Sequence, residues 1–121
     1  MSRALILVVD DSPTDLSLIS APLLATGYEV ITARDGEEAI AKAASERPDV
    51  ILLDVVLPRQ NGFQVCRTLK RSTESGHIPV IMLTSKSQPS DRFWGLKQGA
   101  DEYVTKPFQA EALVSSIQRL I

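Results

Sequence analysis

The sequence predicts a doubly wound α/β domain, a parallel sheet covered by helices on both faces. Three observations predict it. Apolar runs of strand length recur along the chain, most of them without polar alternation, as strands buried on both faces require. Segments with helical spacing and capping residues separate those runs. The chain of 121 residues with 44% hydrophobic content has the length for one core, so a single domain over 1–121 is expected, with no room for a second.

The first strand is predicted over residues 4–9. Ser12 and Pro13 then read as an N-cap and a first helical position, and Leu16, Ile19 and Leu23 recur at helical spacing until Gly27, giving a helix over 13–26. Pro22 falls inside that helix, where it removes a hydrogen bond to Leu18 and predicts a kink. A second strand is expected over 28–33, and Asp35-Gly36 opens a helix with Ala39, Ile40, Ala43 and Ala44 on one stripe. The third strand spans 50–53. Gly62 precedes a helix carrying Phe63, Cys66 and Leu69. Strands over 79–83 and 102–105 and helices over 89–98 and 109–121 complete an alternation that requires right-handed crossovers.

Composition narrows the function classes. Thirteen basic against fifteen acidic residues leave a net charge of -2, and no Lys/Arg stripe tracks a phosphate backbone, so nucleic acid is not an expected direct partner. The apolar run Leu5 to Val9 is too short for a signal-peptide core or a membrane span, and no membrane insertion is expected. Cys66 is the only cysteine; it has no internal disulfide partner and suits a reducing compartment, with the cytoplasm as default.

The chemistry gathers where the strands end. In open α/β sheets ligands collect beyond the carboxyl ends of the strands, at the point where strand order reverses. Asp10 and Asp11 follow the first strand, Asp54 the third, Thr84 the fourth and Lys106 the fifth. Carboxylates at the end of apolar strands are costly without a compensating cation, and several of them within a few ångströms repel. Mg2+ resolves this, because it takes carboxylate oxygens and keeps positions for phosphate oxygens. An Asp carboxylate is itself a nucleophile for phosphoryl transfer, and Lys106 supplies a second cation.

The Asp10-Asp11 pair, Asp54 followed by Leu57-Pro58 and Asn61-Gly62, Leu83-Thr84-Ser85 and Thr105-Lys106-Pro107-Phe108 closely resemble the response-regulator receiver domains of two-component signalling. The resemblance covers the whole chain and implies a CheY-like, flavodoxin-like sheet of order 2-1-3-4-5 with five helices. It implies that Asp54 accepts a phosphoryl group from a histidine kinase. It further implies that Asp11, Asp54 and the Val56 backbone carbonyl bind Mg2+ directly, with Asp10 acting mainly through water. Lys106 would pair with the phosphoryl oxygens, and its bond to Pro107 is usually cis in the family. Thr84 and Tyr103 would form the switch, Thr84 drawing its loop inward and Tyr103 rotating from exposed to buried, so that the face of the fourth helix, fifth strand and fifth helix changes. The chain is then a signalling protein, monomeric when unphosphorylated, and not an enzyme. Asp91 to Asp101 more specifically resembles the PilH-type stand-alone receivers of chemotaxis-like systems that control type IV pili. That likeness implies a chemotaxis-type kinase as donor and twitching or phototaxis as output; a phosphate sink or relay intermediate for a shared kinase is the alternative.

Other readings compete residue by residue. A Mg2+-dependent phosphatase of the haloacid dehalogenase type also combines Asp, Thr or Ser, and Lys, but needs an acid two residues after the nucleophile, where this chain has Val56. A scaffolding pseudo-receiver would lack one of the motif residues, and none is missing. A flavodoxin needs a Ser/Thr-rich phosphate loop where Asp10-Asp11-Ser12-Pro13 stands. His77 reads as a surface residue and Cys66 as a small hydrophobe. Tyr103 is open to a packing reading as well as the switch. Trp94 is either core or part of a docking face, since Phe93 and Trp94 cannot share one helical stripe. Val56 and Lys86 stand where receivers tune hydrolysis, and their identity implies a longer-lived phosphoryl group.

Overall fold

The structure, a computed structural model, describes residues 3–121. Strands and helices alternate as β1 (Leu5–Val9), α1 (Pro13–Thr26), β2 (Glu29–Ala33), α2 (Gly36–Glu46), β3 (Val50–Leu53), α3 (Gly62–Arg71), β4 (Val80–Thr84), α4 (Pro89–Lys97), β5 (Glu102–Thr105) and α5 (Ala110–Leu120). The sheet is parallel throughout and runs β2-β1-β3-β4-β5, the doubly wound order expected.

The unbroken apolar runs are explained by two cores, one on each face. Along β1, β3 and β4, alternate side chains go to opposite faces. Leu7, Val9, Ile51, Leu53, Val80 and Met82 meet α2 and α3 through Ala39, Ala43, Val65, Cys66 and Leu69. Ile6, Val8, Val50, Leu52, Ile81 and Leu83 meet α1 and α5 through Leu16, Ile19, Leu23, Leu113 and Ile117. Because both faces are covered, the sequence shows no alternation.

Register places the site. Val9 stands opposite Leu53, Leu53 opposite Met82, and Thr84 opposite Thr105. The next residues, Asp10 and Asp54, are therefore neighbours, and Lys106 follows directly on the pair that Thr84 makes.

Local departures from the sequence reading have local causes. β4 begins at Val80 and not at Pro79, whose missing N–H cannot join the ladder. It extends through Thr84, which pairs with Thr105. α1 runs from Pro13 to Thr26 without interruption despite Pro22. Leu18, whose carbonyl Pro22 leaves unbonded, is 62% exposed, so that part of the turn lies toward water; beyond it, Thr26 Oγ1 donates to the Pro22 carbonyl at 2.8 Å. Phe93 and Trp94 are both exposed, contrary to a single-stripe argument, because α4 buries only Gly95 and so has no broad apolar stripe to assign.

Candidate functional site

Two strands carry their pairing one residue past their ends. Asp10 N donates to the Ala33 carbonyl and Asp54 N to the Val9 carbonyl, each at 3.0 Å. This fixes the backbone of both acids, which are buried. The turn after β1 folds back on itself. Asp10 Oδ1 accepts from Ser12 N at 3.0 Å, and Ser12 Oγ accepts from Asp15 N at 3.2 Å, so the N-cap of α1 also holds the first acid. After β3, Asp54 Oδ1 accepts from Val56 N at 3.1 Å, and Gly62 N donates to the Val55 carbonyl at 2.8 Å. A Cβ on Gly62 would lie 2.1 Å from the Asp54 carbonyl oxygen, which is why the Asn61-Gly62 pair needs glycine there.

Lys106 closes the arrangement. Its backbone N–H donates to the Thr84 carbonyl at 2.8 Å, and the Lys106–Pro107 bond is cis, as the resemblance implied. Its ammonium donates to Asp10 Oδ2 at 2.6 Å, Asp15 Oδ2 at 2.9 Å and Asp54 Oδ2 at 3.2 Å. Three donors meet three acceptors. Burial raises the Asp10 carboxyl above its ordinary range, only partly opposed by the hydrogen bonds from Lys106 and Ser12 N. For Lys106 burial acts against the charge, but the hydrogen bonds with Asp10 and Asp15 and the charges of Asp54 and Asp10 prevail and raise its pKa.

Asp15 was not among the residues singled out from the sequence. In the first turn of a helix an acid reads as a partner for the helix dipole. The available signal was the Ser12 cap, which turns the chain back so that a residue five beyond Asp10 faces the same ammonium.

The remaining candidates lie around this centre. Asp11 is exposed, and its carboxylate makes no hydrogen bond or ion pair among the described residues. Also among the described residues, no three acid, His or Cys side chains stand together at metal-ligating spacing; the cation between Asp10 and Asp54 is the ammonium. The donor chemistry nonetheless fits Mg2+: hard oxygens on Asp10 and Asp54, a solvent-facing acid in Asp11, and a Val56 carbonyl that accepts no hydrogen bond among the described residues.

Thr84 is buried at the end of β4. Its Oγ1 accepts from Lys86 N at 3.3 Å, while the Lys86 carbonyl accepts from the Tyr103 hydroxyl at 2.7 Å. One residue's backbone thus links the two switch candidates. Tyr103 is buried, with its pKa pushed up to about 12, first by burial and then by the charges of Asp91 and Asp54. Gly95 makes room for it: a Cβ there would come within 2.8 Å of the ring. Cys66 is buried, its thiol pushed up to about 11 chiefly by burial, and His77 is exposed; neither approaches the site. Beside Lys106, a groove of about 640 Å³ lined by Leu18, Ile19, Pro22, Pro107 and Phe108 reaches Asp15 and Ser85.

Among the described residues, no helix is long and apolar enough to cross a membrane. Residues 6–118 match the family model described as response regulator receiver domain. The chain is 44% identical over 118 residues to Protein PilH of Pseudomonas aeruginosa, covering 98% of each chain. Among solved structures, the chemotaxis response regulator CheY4 of Vibrio cholerae superposes with a TM-score of 0.91 at 38% identity, over 99% of this chain and 100% of that one. The receiver domain of sensor histidine kinase PA1611 of Pseudomonas aeruginosa, described with a magnesium ion coordinated in its active site cleft, gives 0.91 at 33% identity over 98% of each.

Proposed function

The chain belongs to the response regulator receiver domain family, and from that premise we propose that Asp54 is the carboxylate that takes a phosphoryl group from a histidine kinase. Receiver domains are signalling switches of two-component systems, and this one is read as a switch and not as an enzyme. The observation that carries the reading is the convergence of Asp10 and Asp54 on the ammonium of Lys106, at 2.6 and 3.2 Å, at the edge where Thr84 ends β4.

In that reading, an Asp54 carboxylate oxygen attacks the phosphorus of the donor's phosphohistidine. The P–N bond breaks, and the imidazole leaves and takes up a proton. Lys106 pairs with the phosphoryl oxygens. Asp11, Asp54 and the Val56 carbonyl would hold Mg2+, with Asp10 acting through water, and the ion would offset the negative charge on the transferring group. The product carries about one more negative charge than the carboxylate, which draws the Thr84 hydroxyl toward it and away from Lys86 N. Because Tyr103 is tied to the same residue's carbonyl, that movement biases Tyr103 and the face of α4, β5 and α5.

The apolar groove beside Lys106 would let an apolar face of the donor dock next to the acceptor. Likeness to PilH supports a chemotaxis-type kinase as donor and control of type IV pilus motility, with the protein acting in the cytoplasm as a monomer when unphosphorylated. A phosphate sink or relay role uses the same acceptor chemistry and differs in the fate of the phosphoryl group, which a sink loses to water and a relay hands to a further acceptor.

Intact mass after incubation with acetyl phosphate and Mg2+ tests the site. One added phosphoryl group is expected in wild type and none in Asp54→Ala or without Mg2+; no gain in wild type, with or without a chemotaxis-type kinase as donor, would refute the assignment. Val56 is half exposed and offers no polar group to orient water, and Lys86 is exposed. A phosphoryl group that outlives those of receivers with polar residues at these positions is expected, measured by its decay after donor removal; loss within seconds would contradict this.

A further inference from the structure

A second charged region lies on α3 and α4, outside the site just described. Arg67, Lys70 and Arg71 face Trp94, Lys97 and Gln98 across a cleft of about 370 Å³. Lys70 is accounted for, its ammonium held by Asp101 at 3.0 Å and the Ile78 carbonyl at 2.8 Å. Arg67, Arg71 and Lys97 pair with no carboxylate among the described residues. No acid lines the cleft, although the chain carries a net charge of -2.

Helix ends explain part of this. Arg71 and Lys97 sit in the last turns of α3 and α4, where the dipole favours cations. Arg67 does not, and one turn before Arg71 it forms a repulsive i, i+4 pair. Nor does the dipole explain an indole left 55% exposed. Phe93, itself exposed, meets the Trp94 ring edge-on at 6.2 Å between centroids, and the Lys97 ammonium lies 5.6 Å from the Phe93 ring.

Guanidinium groups bind phosphate oxygens in bidentate fashion, and an exposed indole offers a face on which a nucleobase stacks. We propose that the cleft between α3 and α4 binds a free nucleotide, with its phosphates on Arg67 and Arg71, Lys97 beside them, and its base on Trp94. The volume lies in the range of small-molecule sites. A nucleic-acid strand is disfavoured, because it needs a cationic track running beyond the cleft, which this acidic chain does not provide. The cleft shares no residue with the Asp54 site, so a nucleotide there is a second input to the same molecule.

Trp94 is the only tryptophan, so the single indole N–H resonance of the 15N-labelled protein reports on this cleft alone. Titration with GTP and ATP is expected to move that resonance saturably in the submillimolar range, with guanosine and tripolyphosphate each binding more weakly. Arg67→Ala with Arg71→Ala is expected to weaken nucleotide binding about a hundredfold, as the loss of two charge-assisted contacts implies, while circular dichroism and Mg2+-dependent phosphorylation stay as in wild type. Trp94→Ala, read from backbone amide shifts in α3, is expected to weaken it about tenfold. An indole resonance unmoved at several millimolar nucleotide overturns the proposal, as does tripolyphosphate binding as tightly as GTP or an affinity unchanged in the double arginine variant. Tighter binding of an oligoglutamate peptide than of either nucleotide also overturns it and identifies the cleft as a face for an acidic protein.

Discussion

At the carboxyl edge of the sheet, three carboxylates close on the ammonium of Lys106; between α3 and α4, Arg67, Arg71 and Lys97 close on no carboxylate among the described residues. The first cluster is largely withdrawn from water, with Asp10 and Asp54 buried, so its charges must be balanced by the protein itself. The second is exposed and balanced by solvent and salt. Burial therefore decides whether a surplus of one sign is tolerated, and the two regions should answer oppositely when a charge is removed.

The largest effect is expected from Lys106→Ala, which leaves Asp10 buried without its cation. Breaking such a pair costs on the order of 3 kcal/mol, measured by urea unfolding at neutral pH. Adding Asp10→Asn to that variant should restore most of the loss. A Lys106→Ala protein as stable as wild type would show that the carboxylates are not balanced by this ammonium.

A pH series sharpens the same contrast. The folded state holds the Asp10 proton more tightly than the unfolded state does, since burial raises this carboxyl above 3.8. Its contribution is thus complete below that value and is lost as pH rises above it, so ionised Asp10 costs stability at neutral pH. Asp10→Asn is expected to raise the urea midpoint at neutral pH, with the gain shrinking as pH falls toward 3.8. Lys106 is also raised, so its contribution persists up to 10.5 and is lost only as pH rises further through its folded value. Thermal unfolding across the alkaline range checks that limb.

Asp15 lies between the two extremes, its side chain 38% exposed. Asp15→Asn should change stability by less than about 1 kcal/mol, as for other solvent-screened pairs. It also removes a negative charge from the approach to Asp54, so a few-fold faster reaction with acetyl phosphate is expected in intact-mass time courses. The smallest effect is expected in the basic cleft. Arg67→Glu replaces a repulsive i, i+4 pair by an attractive one and should stabilise the protein by about 0.5 kcal/mol, a sign opposite to that of Lys106→Ala.

Most of the architecture was legible because a parallel sheet covered on both faces writes unbroken Val, Ile and Leu into its strands, and because Ser12-Pro13, Asp35-Gly36 and Gly62 mark helix starts; the Asn61 cap of α3 emerged only in the structure. Asp10, Asp54, Thr84 and Lys106 were legible because each directly follows or ends a strand. Asp15 was not, since its role depends on how tightly the Ser12 cap turns the chain, a three-dimensional fact with no spacing signature. The exposure of Phe93 and Trp94 was hidden for a related reason. In α4 the buried residue is a glycine that admits the Tyr103 ring, and a glycine leaves no hydrophobic mark in the sequence.

The Lys106 ammonium and the Asp10 carboxylate are 96 residues apart, and that separation orders events during synthesis. A ribosome releases β1, β2 and β3 first, and these can pair while Asp10 and Asp54 still lack their ammonium. Lys106 arrives only once β5 has emerged and lain against β4, a closure late in both sequence and topology. A nascent or half-folded chain thus has Asp10 and Asp54 without their cation. The Asp10–Lys106 pair therefore forms only when the sheet has closed from β1 to β5, and its presence reports an assembled sheet.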